Sequence, residues 1–442
     1  MPQHHNMRQA FVREFATPGL WWSRTVVIGA AALAGLTVVA FTWLAESALE
    51  VFQTWIGARW WAALLWTPLT CAAIVWATRR YAPGASGSGI PQVLAALDPQ
   101  VRGGHRGLFA SLRLSVAKIL LTSAGLLAGL SLGREGPSVQ IAAGVMLAAR
   151  RFLPRRPVVS AHSLLVAGGA AGIAAAFNTP LAGVMFAIEE MSRSPERRRS
   201  GLIIVAIVLA GLVAVSIHGN GPYFGIIHAG PIGAALLLPG LMVALASGVA
   251  GGLFSRLLLN SLGGASTDRF TRLRQSHPVA FAAACGGAVA IIGIVSHGAT
   301  YGSGNAAAAG LLRGEGDVAG EFAFLKFLAT WLSVWSGVPA GIFAPSLSIG
   351  AALGNFIALL AAYPYAPALI ALGMVGFLAA ATQAPLTAFI IVMEMVDGHG
   401  MVLSLMACAA VASSVSRVLS PPLYAALADL QLKRVPAPPV RP

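Results

Sequence analysis

From Phe327 to Met393 the chain carries no Asp, Glu, Lys or Arg. A helix needs roughly 20 apolar residues to cross the hydrocarbon core of a bilayer, and this run is about three times that length. It cannot be a single span. Gly and Pro interrupt it repeatedly, among them Gly337, Pro339, Gly341, Pro345, Pro364 and Pro385, so it must fold back several times. Thr25–Leu44 and Trp60–Thr78 are two further uncharged stretches of spanning length. Over all 442 residues only 10% are charged and the mean hydropathy is +0.76, whereas a soluble domain carries about 25% charged residues. The expected fold class is therefore an all-α, multi-pass integral membrane protein.

The net charge of +14 would fit nucleic acid if the cations formed a stripe interleaved with aromatics. They do not. Arg150, Arg151, Arg155 and Arg156 share one short connection, and Arg193, Arg197, Arg198 and Arg199 another. Such loops mark the cytoplasmic face. Arg8 and Arg13 at one end, and Lys433, Arg434 and Arg441 at the other, place both termini on that side. Gly219–Pro231 has neither Lys nor Arg and reads as external. Residues 1–20 lack the apolar core of a cleaved signal peptide, and no soluble regulatory domain is expected at either end. Cys71, Cys285 and Cys408 lie in or beside apolar stretches with no metal or redox spacing, and read as small core residues.

The chain repeats itself. With Lys118 placed on Lys326, KILLTSAGLLAGLSLGREGPS (Lys118–Ser138) falls without gaps on KFLATWLSVWSGVPAGIFAPS (Lys326–Ser346), matching Gly133 to Gly341 and Pro137 to Pro345. PLAGVMFAIEE (Pro180–Glu190) resembles PLTAFIIVMEM (Pro385–Met395), with Glu189 on Glu394, and GSGI (Gly87–Ile90) echoes GSGN (Gly302–Asn305). Repeats in transporters are commonly inverted, with the binding site near the midplane. The chain divides accordingly: a cytoplasmic segment over 1–20, a first membrane repeat over 21–218, an external connection over 219–231, a second repeat over 232–430 and a cytoplasmic tail over 431–442. Ala161–Glu190, lying between two basic loops, must go in and return. It is too short for two full spans, so broken, tilted helices follow, with the break at Asn178 and Pro180.

GSGIP (Gly87–Pro91), GREGP (Gly133–Pro137) and GIFAP (Gly341–Pro345) each set a Gly-rich turn before an apolar stretch. Pro is tolerated in the first helical turn, and Gly allows a ligand to approach the backbone. The first N–H groups of a helix lack intrahelical partners and carry the positive end of its dipole. Three such ends converging within a membrane would hold an anion without a fixed cation beside it, loosely enough for the ion to leave.

Together with Pro-Leu-Tyr at Pro422–Tyr424, these motifs resemble the CLC chloride channel/transporter family over about Ser86 to Tyr424. The resemblance implies a homodimer with one pore per subunit, an inverted repeat of about 18 broken, tilted helices per subunit, and no cofactor, with chloride the ligand. It implies that Ser88 and Tyr424 donate hydroxyls to a central chloride and that Ile342 and Phe343 give it backbone N–H groups. Arg134, Glu135 and Gly136 of GREGP would form an outer anion site, in which Glu135 is a gate that competes with chloride and leaves on protonation. Glu190 resembles the inner glutamate that delivers cytoplasmic protons in exchangers and that passive channels lack. Chloride/proton antiport is thus the expected function, with a passive voltage- or pH-gated chloride channel as the alternative. Fluoride-type relatives usually differ at the serine and lack the tyrosine, and nitrate-preferring ones carry Pro at the serine. Gln92 departs from the family, which usually has an acid after GSGIP; this bears on the inner mouth and on the water route between Glu190 and Glu135.

Each assignment has a plainer competitor. Ser88 could cap its own helix, Tyr424 could be an interfacial anchor, Glu135 could pair with Arg134, and Glu190 could pair with Arg193. Lys118 and Lys326 are buried by position and read as structural, paired with backbone carbonyls or acids. Gly84-Ala85-Ser86-Gly87 matches the G-x-S-G of rhomboid-type intramembrane serine proteases, with His162 or His297 as base, but that reading leaves the repeat, GREGP and GIFAP unexplained. The expected partners are chloride, protons, membrane lipid and a second copy of the chain, with no nucleic acid, in a cell inner membrane.

Overall fold

The computed structural model describes residues 18–101, 104–154, 159–191, 200–227, 233–264, 268–315 and 320–433. Arg155, Arg156, Arg193, Arg197, Arg198 and Arg199 lie outside these ranges, as do Arg8, Arg13, Arg434 and Arg441 and most of the two terminal segments.

The described residues form 18 α-helices. The first half runs α1 (Pro18–Ala58), α2 (Ala63–Tyr81), α3 (Ile90–Leu97), α4 (Leu112–Leu127), α5 (Glu135–Ala148), α6 (Ala161–Phe177), α7 (Pro180–Phe186) and α8 (Ser200–His218). The second runs α9 (Ala234–Gly263), α10 (Arg269–Ser276), α11 (Pro278–Val295), α12 (Asn305–Arg313), α13 (Phe322–Trp335), α14 (Phe343–Leu360), α15 (Ala366–Thr382), α16 (Pro385–Met395) and α17 (Val402–Leu419), followed by α18 (Leu423–Leu432). With α10 set aside, the two halves correspond helix by helix. Their packing corresponds too: α5 lies on α6 as α14 lies on α15, and α6 on α8 as α15 on α17.

The uncharged run supplies most of α13 and all of α14 and α15, broken around Gly337–Ile342 and Ala361–Tyr365, and most of α16. The Ala161–Glu190 segment breaks where expected. Asn178 closes α6 in the left-handed region (φ 59°, ψ 34°) and Pro180 opens α7. Gln383 closes α15 in the same way (φ 59°, ψ 31°) before Pro385 opens α16.

Helices α5, α6, α14 and α15 are buried along most of their length and form the centre. They approach closely because their facing residues are small, as membrane helix contacts favour. A Cβ added at Gly373 on α15 would stand 2.1 Å from the Gly350 carbonyl on α14. The outside is apolar instead: Trp21, Trp22, Trp60, Trp61, Leu237, Leu403 and Val418 are exposed, a pattern that suits lipid with aromatic belts at its boundaries. Among the described residues, eight helical stretches are long and apolar enough to cross a bilayer. At 41 residues, α1 is roughly 60 Å long, about twice the hydrocarbon thickness, so it must run tilted or project beyond the core.

Polar contacts knit the halves reciprocally. The Glu189 carboxylate accepts from Leu386 N–H (3.0 Å) and Thr387 N–H (2.7 Å) at the start of α16. Glu394 accepts from Leu181 N–H (3.3 Å) and Ala182 N–H (2.8 Å) at the start of α7. Each acid thus caps the matching helix of the other half, which accounts for the aligned acids.

Candidate ion-transport site

The three Gly-rich turns meet. Gly133 and Gly341 form an antiparallel bridge, N–H to carbonyl at 2.8 Å and 3.0 Å, and Ala340 N–H donates to the Gly87 carbonyl at 3.2 Å. A Cβ at Gly136 would lie 2.4 Å from Ser88 Oγ. The first turns of α3, α5 and α14 therefore open at one place, and their dipoles add there. Buried Lys118 holds the GSGIP turn from behind, its Nζ donating to the carbonyls of Ala85 (2.7 Å) and Gly87 (2.6 Å). Lys326 does the same for the second half, donating to Thr300 (2.8 Å) and Gly302 (2.7 Å) carbonyls. Of the two kinds of partner expected for these lysines, they take backbone carbonyls.

Ser88 and Tyr424 are both buried, and their hydroxyls lie near enough to interact. Neither is held in a hydrogen bond of good geometry. Ser88 does not cap its own helix: Gly89 is the N-cap of α3, and Gln92 Oε1 accepts from Gly89 N–H at 2.9 Å while its Nε2 donates to the Ser86 carbonyl. Gln92 thus ties the turn to itself with both ends of its amide. The Tyr424 ring stacks on Phe343 (6.0 Å, 15°), and Phe343 in turn meets Phe177 at 6.1 Å. Tyr424 is therefore a buried residue of the site and not an interfacial anchor.

Glu135 is the first residue of α5, 1% exposed, and its Oε2 accepts from Ala344 N–H of α14 at 3.4 Å. A carboxylate thus lies on the start of a helix from the opposite half. Ile342 is the N-cap of α14, and Phe343 its first residue. The Arg134 side chain turns elsewhere, to Glu46 Oε1 (2.5 Å) and the Tyr223 hydroxyl (3.1 Å), and Asn305 Nδ2 donates to the same hydroxyl at 2.8 Å. Arg134 makes its side-chain ion pair with Glu46 instead of Glu135. Glu46, with 53% of its side chain exposed, and Tyr223 carry no assignment from the sequence, and Asn305 enters there only as the last residue of the GSGN echo. The available signal for Glu46 was an acid, with Glu50 one turn on, near the end of an otherwise apolar helix.

Glu190 lies on a separate element, a π-helical turn over Ala187–Met191, and is half-buried. Tyr424 lies within electrostatic reach of both Glu190 and Glu135. Arg193, its proposed surface partner, lies outside the described residues.

Two cavities flank α18. One, of about 80 Å³, ends on Ser88 and Tyr424 and is also lined by Gln92, Leu427, Gln431 and Arg274. The other, of about 380 Å³, is lined by Asp98, Arg106, His162, Met191 and Asp429, and Met191 adjoins Glu190. Arg106 lies within electrostatic reach of Arg150 in the first basic loop, which sets this second cavity beside that loop.

The family profile described as voltage gated chloride channel matches residues 70–417. The chain belongs to that family. CLC relatives include the H(+)/Cl(-) exchange transporter ClcA of Salmonella paratyphi A (strain ATCC 9150 / SARB42), 31% identical over 391 residues, covering 83% of this chain and 78% of that protein. The same-named transporter of Citrobacter koseri (strain ATCC BAA-895 / CDC 4225-83 / SGSC4696) is 32% identical over equal shares. Among solved CLC structures, a slow cyanobacterial Cl-/H+ antiporter superposes with a TM-score of 0.78 at 25% identity, covering 92% of this chain and 98% of that one. A CLC-type fluoride/proton antiporter superposes with a TM-score of 0.75 at 20% identity, covering 92% and 97%, which shows the shared fold. These relatives are transporters and not enzymes, against the serine-protease reading, and Ser86 Oγ donates to the Gly337 carbonyl at 3.3 Å.

Proposed function

We propose that this chain exchanges chloride for protons across a membrane, with Glu135 and chloride competing for the start of α14. The observation that carries this is the Glu135 carboxylate on Ala344 N–H, beside two buried hydroxyls without settled partners. A chloride ion suits the same donors, since helix N-termini and hydroxyls bind an anion without a fixed cation. Protonation removes the charge that holds Glu135 there, so the side chain leaves and chloride takes its place. Ser88, Tyr424, Ile342 and Phe343 hold the central ion; Gly136 and the backbone of Arg134 serve the outer position. Glu190 passes protons between the cytoplasm and Glu135. That role sets exchange above a passive channel, and the two H(+)/Cl(-) exchange transporters named above support it.

The same reading has two copies of the chain, each with its own pathway, in a cell inner membrane. Both termini are cytoplasmic, residues 21–218 and 232–430 are the repeats, and 219–231 is the external connection. Lipid surrounds the exposed Trp and Leu side chains, and no cofactor takes part.

Purified protein in liposomes tests the core of this. A chloride gradient is imposed and external pH is recorded while chloride flux is measured. Exchange drives protons uphill against chloride; chloride flux with no proton movement leaves the channel alternative, and no chloride flux refutes both.

A further inference from the structure

Resting on the transport reading, we infer that Tyr223 is a positioning residue of the outer chloride route, the counterpart across the repeat of Tyr424 at the inner end. Tyr424 stands five residues beyond Leu419, the end of α17, and Tyr223 five residues beyond His218, the end of the corresponding helix α8. A proline turn precedes each, at Pro421-Pro422 and at Pro222. Each tyrosine reaches the GSG turn of the other half. The Tyr424 hydroxyl faces Ser88 of GSGI, and the Tyr223 hydroxyl accepts from Asn305 Nδ2 of GSGN at 2.8 Å. Both turns are held from behind by a buried lysine, Lys118 for one and Lys326 for the other. Tyrosine, turn and lysine recur as a set.

The outer tyrosine also accepts from Arg134 Nη2 at 3.1 Å, and Arg134 is the N-cap of α5, next to Glu135. One phenol oxygen thus joins α5 of the first half to α12 of the second, beside the proposed gate. Its ring is anchored independently: it meets Phe224 edge-on at 5.0 Å (89°), and Phe224 N–H donates to the Met395 carbonyl at the end of α16 at 2.8 Å. The Arg134 charge is met by Glu46, so Tyr223 supplies position and not charge. Glu135 is 1% exposed and the Arg134 side chain 7% exposed, so the gate is covered where the halves are joined. Alternating access moves one part of a transporter against another around a fixed site. A bridge between the halves at this point must break before the outer route opens. Each hydrogen bond in it shifts that equilibrium by about twofold to tenfold.

The test measures chloride and proton flux together in liposomes for the parent protein, Tyr223→Phe, Asn305→Ala and the double variant. Tyr223→Phe keeps the ring on Phe224 and removes the bridge. The chloride moved per proton should rise about threefold or more, because the outer route then opens out of step with the gate. Asn305→Ala should shift the ratio in the same direction, and the double variant should match Tyr223→Phe alone, since both changes break one bridge. Chloride affinity measured by calorimetry should hold, with Ser88 and Tyr424 untouched. A purely structural role would instead lower the thermal midpoint and reduce both fluxes in proportion. An unchanged ratio in Tyr223→Phe and Asn305→Ala, a proportional loss of both fluxes, or additive effects in the double variant overturns the inference while parent exchange leaves the transport reading standing. Absence of chloride flux in the parent protein overturns both.

Discussion

Tyr424 separates two tasks within one side chain: its ring packs on Phe343 while its hydroxyl faces Ser88. Tyr424→Phe should keep the stack and lose the donor. A hydrogen bond to a charged group contributes about 1.5–3 kcal/mol, so chloride affinity measured by calorimetry should fall roughly tenfold or more, with the thermal midpoint nearly unchanged. In the proposed exchange cycle Glu135 carries the pH dependence. In the parent protein chloride flux should rise as pH falls, because the protonated carboxyl no longer competes at Ala344 N–H. In Glu135→Ala the flux should be flat with pH and uncoupled from protons; a steep pH profile in that variant would remove Glu135 from the gate. Glu190→Gln should stop proton movement while chloride still flows. Glu135 and Tyr424 were legible because short motifs fix them. The Arg134–Glu46 pair was not, since Glu46 sits 88 residues away on a helix whose rotation no local pattern dictates.

At the scale of helices, the matching halves are held by equivalent devices. Glu189 and Glu394 each give one carboxylate to two first-turn N–H groups of the opposite half. Glu394→Ala should lower stability by about 1–2 kcal/mol, the usual range for a lost helix cap, seen as a lower thermal midpoint in detergent. Lys118 is more demanding, since it satisfies two buried carbonyls. Lys118→Met should cost about 3 kcal/mol or more, because it leaves both without a donor, and chloride affinity should fall with the loosened GSGIP turn. The internal alignment displayed these devices because like positions face like tasks. It could not display the π turn at Ala187–Met191, which depends on packing after α7 and has no composition signature. Within that turn Glu189 caps α16, while the adjacent Glu190 does not share those two N–H groups.

For the molecule as a whole, the apolar exterior and small-residue interior were foreseeable, because lipid and close helix packing each demand a composition. Sidedness rests on loop charge and is open to a direct check. Cys71, Cys285 and Cys408 are buried, so an introduced cysteine can be labelled selectively. A membrane-impermeant maleimide should reach Gly221→Cys only from outside the cell and Arg151→Cys only from inside. Labelling of both from one side would refute the assigned topology.

Helix α18 lines both inner cavities, with Leu427 and Gln431 toward one and Ala425, Ala428 and Asp429 toward the other. It is a septum one helix thick, roughly 10 Å, and it ends at its first turn, where Tyr424 stands. In the proposed exchange cycle, chloride entering by one opening and protons by the other would stay apart for the length of that septum and merge only above its tip. Tyr424, within electrostatic reach of both Glu190 and Glu135, would then mark the junction of a fork.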